Sequence, residues 1–190
     1  MNILVISFSG RKGAGNCSKI SDFIQEHLHG HSVNVSSIRM ADLDIESCTD
    51  CNYECFDSLQ KCPKVDDLNA VYERIMESDA TIMIIPVYSA APPALYFAWR
   101  ERSQSIFLTE EICQKFDRVK KAFIIIGNKD AGADGAVTII EKYHANAEKD
   151  IGILLLQSRE YGQKSVEGRL INVHQVQMQL KRFLNMFITG

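Results

Sequence analysis

The chain has 190 residues, of which 46% are hydrophobic and 24% are charged, so it is long enough for one medium-sized domain with a large core. Its formal net charge is −3 and it has no basic stripe, which argues against nucleic acid as a partner. No apolar run approaches the ~18 residues that a membrane span requires. Met1 leads directly into an apolar run, without the basic region of a signal peptide. We therefore expect a single cytoplasmic domain over residues 1–190, with its six cysteines reduced or bound to metal.

Predicted strands and helices alternate along the chain. The strand candidates are residues 3–7, 32–38, 80–86, 122–127 and 151–157. The helix candidates are residues 18–29, 67–78, 93–105, 133–148 and 172–188. Three of the strand candidates are almost continuously apolar, which is typical of strands covered by helices on both faces. The alternation predicts an α/β fold, a doubly wound five-stranded parallel sheet with helices on both faces. Residues 40–65 and 158–171 are expected to be irregular.

The loop between the first strand and the first helix has the residues of a phosphate site. Small, hydroxylated and basic residues fill it, namely Ser9, Arg11, Asn16, Cys17 and Ser18. Because the free N–H groups of a helix N-terminus point toward such a loop, the loop is suited to bind an anion. Hydroxyl, amide and backbone groups would donate to the phosphate, and Arg11 would supply positive charge. An ordinary glycine-containing turn that only caps the helix stays open as the alternative.

Two familiar phosphate motifs do not fit this loop. A P-loop requires Lys and Ser or Thr after its last glycine, where this chain has Asn16 and Cys17. A dinucleotide fingerprint requires a third glycine after Gly13 and Gly15, and an acid after the second strand, where the chain has Arg39. The loop therefore predicts a site for a single phosphate.

Two further loops are expected beside the phosphate loop. If the strand order is 2-1-3-4-5, the loops after the first, third and fourth strands meet at the carboxyl edge of the sheet. The loop after the third strand is bounded by prolines and contains Tyr88, which suits the face of a planar ring. The residues of these loops expected at the ligand are Pro86, Val87, Tyr88, Ser89, Ala90, Gly127, Asn128 and Lys129. A phosphate site followed by a site for a planar ring predicts FMN.

These motifs resemble those of the flavodoxin-like, NADPH-dependent FMN reductases and the related iron–sulfur flavoproteins. The first loop is similar to the family's S-x-R-x-x-G-N-[ST]-S, with one extra residue between Arg11 and Asn16 and with Cys17 at the usual Thr or Ser. Residues 78–88 match the family's second motif, which ends in P-V-Y. A later K-x-x-x-D-R motif keeps only Arg102. The resemblance covers nearly the whole chain and implies a flavodoxin-like fold that binds FMN.

The resemblance also implies a function. The expected protein is a flavoprotein oxidoreductase that passes electrons from NAD(P)H through bound FMN to a flavin, a quinone or another small acceptor. The cofactor supplies the redox chemistry, so no side chain is assigned as a catalytic residue. A one-electron carrier that couples a cluster to FMN, and a non-enzymatic flavin-binding or redox-sensing protein, stay open as alternatives. The apolar face of the last helix candidate allows a homodimer or a higher homo-oligomer.

Four of the six cysteines lie within fifteen residues, in the pattern Cys48-x2-Cys51-x3-Cys55-x6-Cys62. Four clustered thiolates suit a [4Fe–4S] cluster or a zinc ion. The related iron–sulfur flavoproteins carry such a compact motif close to the flavin. A bound cluster, metal-free thiols, zinc and a reversible disulfide all stay open. We expect these four thiols to lie together on one rim loop, and Cys17 and Cys113 to lie apart from them.

Overall fold

The computed structural model describes residues 1–49, 51–57, 62–145 and 151–189. Its strands are β1 (Asn2–Ser7), β2 (Asn34–Arg39), β3 (Ala80–Pro86), β4 (Lys120–Gly127) and β5 (Gly152–Gln157). Its helices are α1 (Asn16–Leu28), α2 (Glu54–Asp57), α3 (Leu68–Met76), α4 (Ala94–Glu101), α5 (Glu110–Arg118), α6 (Asp130–Tyr143) and α7 (His174–Thr189). The five strands pair in parallel in the order β2-β1-β3-β4-β5, which confirms the predicted topology.

Helices cover both faces of the sheet, as the continuous apolar strands predict. Along β1, Leu4 and Ile6 point into a cluster that includes Trp99 of α4 and residues of α3, α5 and α6. The alternate residues Ile3 and Val5 point into the other cluster, which α1 and α7 complete. Every residue of β3 is buried. The strands β1, β3 and β4 therefore end at the carboxyl edge with their backbones fixed between two packed layers.

The helices depart from the sequence prediction in several places. Helix α2 lies in the stretch of residues 40–65 that was expected to be irregular. Helix α6 begins and ends earlier than the predicted range 133–148, of which residues 146–148 lie outside the described part of the chain. Helix α5 was not predicted, because its nine residues are mostly polar and Phe116 is the one that is buried. The feature of the sequence that could have indicated α5 is its N-terminal cap. The Thr109 Oγ1 atom accepts a hydrogen bond from the Ile112 N–H at 3.3 Å, and two acidic residues follow in the first turn. The predicted helix over residues 93–105 is also too long, since α4 ends at Glu101 and a 3-10 turn follows.

Helix α7 packs along the sheet through the apolar face predicted for it. Val176, Leu180 and Leu184 are fully buried in the cluster on that side. Neither α7 nor any other helix in the part of the chain that the structure describes is long and apolar enough to cross a membrane.

Candidate cofactor site

A cavity of about 410 Å³ lies at the carboxyl edge of the sheet, where β1, β3 and β4 end. The strand order reverses between β1 and β3, and ligands of open α/β sheets bind at such a switch point. The predicted site residues that line it are Ser9, Arg11, Asn16, Cys17, Pro86, Val87, Tyr88 and Asn128. The lining residues that the sequence did not indicate are Gly15, Ile126, Arg159, Lys164, Ser165 and Val166. The three predicted loops therefore meet at one cavity, and a fourth segment closes it.

The N-terminus of α1 opens onto this cavity. The first intrahelical hydrogen bond runs from the Lys19 N–H to the Gly15 carbonyl at 3.1 Å, so the N–H groups of residues 16–18 precede the helical ladder. Together with the helix dipole they make this end positive. The Ser18 hydroxyl lies outside the cavity lining, because it pairs with the Gly15 N–H at 3.0 Å and the Gly15 carbonyl at 3.1 Å. Ser18 thus closes the first turn, and Gly15, Asn16 and Cys17 at the start of the helix line the cavity.

The side chains of Asn16 and Cys17 are buried at the base of the site. The Asn16 Nδ2 atom donates to the Ser165 carbonyl at 3.0 Å, and its Oδ1 atom accepts from the Leu170 N–H at 3.1 Å. The Asn16 amide therefore ties the segment after β5 to α1. Burial raises the pKa of Cys17 to about 12, although the Ser9 hydroxyl and Arg11 favour the thiolate. Cys17 is consequently a neutral thiol at physiological pH.

A two-residue turn presents Tyr88 to the cavity. The Tyr88 N–H donates to the Ala91 carbonyl at 2.9 Å, and the Ala91 N–H donates back at 3.0 Å. Ser89 and Ala90 between them have φ of 48° and 66°, in the left-handed region that residues other than glycine rarely occupy. Neither residue lines the cavity. Such strain persists where surrounding structure holds it, and it is often found beside ligand sites.

The segment after β5 forms the fourth wall of the cavity. The Ser158 hydroxyl donates to the Gly127 carbonyl at 3.1 Å, and the Ser165 hydroxyl donates to the Asn128 Oδ1 atom at 3.2 Å. The Arg159 N–H donates to the Asn128 carbonyl at 3.2 Å. These bonds fix the loop after β4 and place the Arg159 side chain at the cavity. Gly127 and Lys129 lie outside the lining.

The four cysteines of the predicted metal motif line one small cavity of their own. Burial, followed by the neighbouring Cys51, raises the pKa of both Cys48 and Cys55. Cys17 and Cys113 do not line this cavity. All four thiols are free, and within the described ranges no three Cys, His, Asp or Glu side chains form a ready-made metal site. The loop thus brings the thiols to one place without arranging them as ligands.

The end of α4 holds both ends of the cysteine loop. The Cys48 N–H donates to the Glu101 Oε1 atom at 2.7 Å, and the Arg102 Nη2 atom donates to the Cys62 Sγ atom at 3.3 Å. Arg102 is itself paired with Asp66, and both side chains are 1% exposed. The donor set of four thiols has the chemistry that a [4Fe–4S] cluster or zinc requires.

The fold is that of a flavodoxin-like protein, and the cavity at the switch point is its candidate ligand site. The profile of the NADPH-dependent FMN reductases matches residues 1–99 of the 190. An iron–sulfur flavoprotein from Methanosarcina thermophila is 27% identical over 143 residues, which are 75% of this chain and 72% of that protein. The chain belongs to the NADPH-dependent FMN reductase family and is a flavoprotein oxidoreductase.

Solved structures share the fold at low sequence identity. A putative quinone reductase from Klebsiella pneumoniae superimposes with a TM-score of 0.69 at 13% identity, over 100% of this chain and 86% of that one. A flavoenzyme NAD(P)H:(acceptor) oxidoreductase from Paracoccus denitrificans gives a TM-score of 0.57 at 16% identity, over 98% and 97% of the two chains. At this identity the likeness establishes the flavodoxin-like fold alone.

Proposed function

We propose that the cavity at the switch point binds FMN, and that the protein passes electrons from NAD(P)H through FMN to a small acceptor such as a flavin or a quinone. The observation that carries this proposal is that the N-terminus of α1 and the aromatic turn that contains Tyr88 line the same cavity. Bound FMN supplies the redox chemistry. The side chains of this site bind and orient, so none is given an acid or base role.

The residues of the cavity fit the parts of FMN. Its volume of about 410 Å³ lies within the ~300–1,000 Å³ of cofactor and ligand pockets. The amides of residues 16–18 and the exposed Arg11 suit one phosphate group. Tyr88 is 47% exposed and suits contact with the flavin ring. No second α-helix N-terminus lines the cavity within the described residues, so we propose FMN and not FAD.

The backbone of the aromatic turn has a positioning role. The Val87 N–H donates to the Ile126 carbonyl at 2.9 Å, and the Tyr88 N–H is used within the turn. The Val87 amide therefore holds the turn against β4 and the Tyr88 amide closes the turn, so neither is left for the edge of the flavin ring. Arg159 and Lys164 add positive charge to the cavity lining, which suits the phosphates of NAD(P)H.

Replacing Arg11 with alanine should raise the dissociation constant of FMN at least tenfold, because a hydrogen bond to a charged group is worth ~1.5–3 kcal/mol. Quenching of FMN fluorescence by the apoprotein measures the affinity. The matched control is Lys12→Ala, the adjacent exposed cation, which lies outside the cavity lining. Equal effects of the two substitutions would refute a specific role for Arg11. Mass spectrometry of the released flavin tests its identity, and recovery of FAD alone would refute the FMN assignment.

An electron carrier that couples a cluster to FMN is the second candidate function. The shared cavity of the four thiols, held by Glu101 and Arg102, favours it. Anaerobically purified protein should then contain iron and acid-labile sulfide. Cys51→Ala should remove most of both, because three thiolates hold a [4Fe–4S] cluster less tightly than four. Cys113→Ala is the control and should retain them. Absence of iron and zinc from the wild type would exclude the metal-bound states.

A further inference from the structure

A second cavity, of about 260 Å³, lies on the opposite edge of the sheet, near the start of β4. The C-terminal ends of α4 and α6 and one face of α5 surround it. It shares no lining residue with the proposed flavin site. The proposed reaction makes no use of this cavity.

The lining of this cavity has an excess positive charge. Arg100 and Lys121 are its two cations, and Asp117 is its one acid. Lys121 is 2% exposed, and its Nζ atom donates to the Phe116 carbonyl at 2.6 Å and to the Val119 carbonyl at 2.9 Å. An ammonium group has three N–H donors, so one of them is left for a ligand. Binding of a monoanion would bring the lining to neutrality.

Two buried polar atoms at this cavity have no hydrogen-bond partner in the described part of the chain. One is the Nε2 atom of His144, whose side chain belongs to a residue only 7% exposed, and the other is the Nε atom of Arg100. A buried polar atom without a partner costs roughly 1–3 kcal/mol, so such atoms are uncommon and call for an explanation. Burial, Arg100 and Lys121 lower the pKa of His144 to about 3, so its ring is neutral. A neutral ring protonated on Nε2 can donate to an anion.

The remaining walls are aromatic. Phe107 and Phe116 meet edge to face, with ring centroids 5.6 Å apart. The Arg100 guanidinium lies 4.7 Å from the centroid of the Tyr143 ring, which holds the cation in place. A volume of about 260 Å³ is below the ~300–1,000 Å³ of pockets for drug-sized ligands, and it suits a single ring.

We propose that this cavity is a binding site for a small aromatic carboxylate. The ring of the ligand packs against Phe107, Phe116 and Tyr143. Its carboxylate accepts hydrogen bonds from Arg100, Lys121 and the Nε2–H of His144. The ligand thereby gives hydrogen-bond partners to the His144 and Arg100 atoms that lack them, and it neutralises the excess positive charge of the lining.

The thiol of Cys113 also lines this cavity and serves as the reporter. The experiment measures the alkylation rate of Cys113 by iodoacetamide, with benzoate as the probe and peptide mass spectrometry as the readout. Saturating benzoate should slow the reaction of Cys113 at least tenfold. Cys48 is exposed and lies in another cavity, so its rate should stay constant. An unchanged Cys113 rate would overturn the proposal.

Controls separate charge from shape and from the fold. Benzyl alcohol has the same ring without the charge and should protect weakly. Inorganic phosphate tests for a site open to any anion. Protection by either compound equal to that by benzoate would overturn the aromatic-carboxylate assignment.

Protection should disappear in Arg100→Gln and persist in Arg118→Gln, whose exposed cation on α5 lies outside the cavity. If Arg100→Gln does not fold, the His144 ring resonances of the wild type decide: they should shift on addition of benzoate, and unshifted resonances overturn the proposal.

Discussion

Replacing Gly135 with alanine should destabilise the protein by about 1–3 kcal/mol, although the same change inside a helix usually stabilises by ~1 kcal/mol. Gly135 lies within α6, and a Cβ atom there would sit 2.6 Å from the Ala90 carbonyl oxygen. That oxygen is backbone, so it cannot move aside as a flexible side chain would. Ala90 already has a left-handed φ of 66°, and the turn to which it belongs presents Tyr88 to the cavity. The added methyl group should therefore also displace Tyr88 and weaken FMN binding several-fold.

Urea unfolding and FMN titration of Gly135→Ala measure these two effects. Asp134→Ala is the matched control, because it changes the neighbouring residue of α6 at an exposed position. The control should be neutral or slightly stabilising and should bind FMN with unchanged affinity. A Gly135→Ala protein as stable as the control would mean that α6 does not press on the aromatic turn.

The parallel sheet was predictable because three of its five strands are almost continuous apolar runs, and burial on both faces leaves such a run few other conformations. The three rim loops were predictable for a related reason, since strand order places the loops after β1, β3 and β4 together. By contrast, Arg159, Lys164 and Ser165 follow β5 in a stretch of polar residues without a motif. Arg159 and Ser165 are held there by hydrogen bonds to Asn128, and the adjacent Ser158 bonds to Gly127; both partners are distant in sequence.

In the cysteine loop, too, the local sequence pattern was predictive, whereas contacts between residues distant in sequence were not. The spacing of Cys48, Cys51, Cys55 and Cys62 indicates that the thiols act together, and the structure has them around one cavity. The residues that hold the loop are not part of that pattern. Arg102 lies 40 positions after Cys62, and its contact with the thiol depends on where α4 ends. The spacing of the cysteines therefore identified the four thiols, but it did not identify the residues that hold their loop in place.

Arg102 and Asp66, which hold the cysteine loop, form a buried ion pair. Arg102 donates to the Asp66 carboxylate through Nη1 and through Nη2, the latter at 3.0 Å, and both side chains are 1% exposed. The carboxylate also accepts from the Glu46 N–H at 3.0 Å and the Leu68 N–H at 3.2 Å. These contacts join the cysteine loop, the start of α3 and the end of α4.

Asp66→Asn should cost about 3–5 kcal/mol of unfolding free energy at pH 7, because it removes the negative charge from one side of a buried ion pair. Chemical denaturation measures the loss. Asp22→Asn makes the same change at an exposed position of α1 and should cost less than ~0.5 kcal/mol. Alkylation of Cys62 should also become faster in Asp66→Asn, since Arg102 then loses the partner that orients it toward the Sγ atom.

The contribution of Asp66 to stability should disappear in acid. Burial raises the pKa of Asp66, but hydrogen bonds from Arg102 and from the Glu46 and Leu68 N–H groups outweigh burial and hold the pKa below its ordinary value of 3.8. A carboxyl group whose pKa is lowered on folding stabilises the native state above its unfolded pKa, and it loses this effect as the pH falls through the folded pKa. The wild type should therefore be more stable than Asp66→Asn at pH 7 and pH 5, and the two unfolding free energies should converge as the pH falls below about 4. A difference that stays constant from pH 7 to pH 2 would show that the ionised carboxylate of Asp66 does not stabilise this junction.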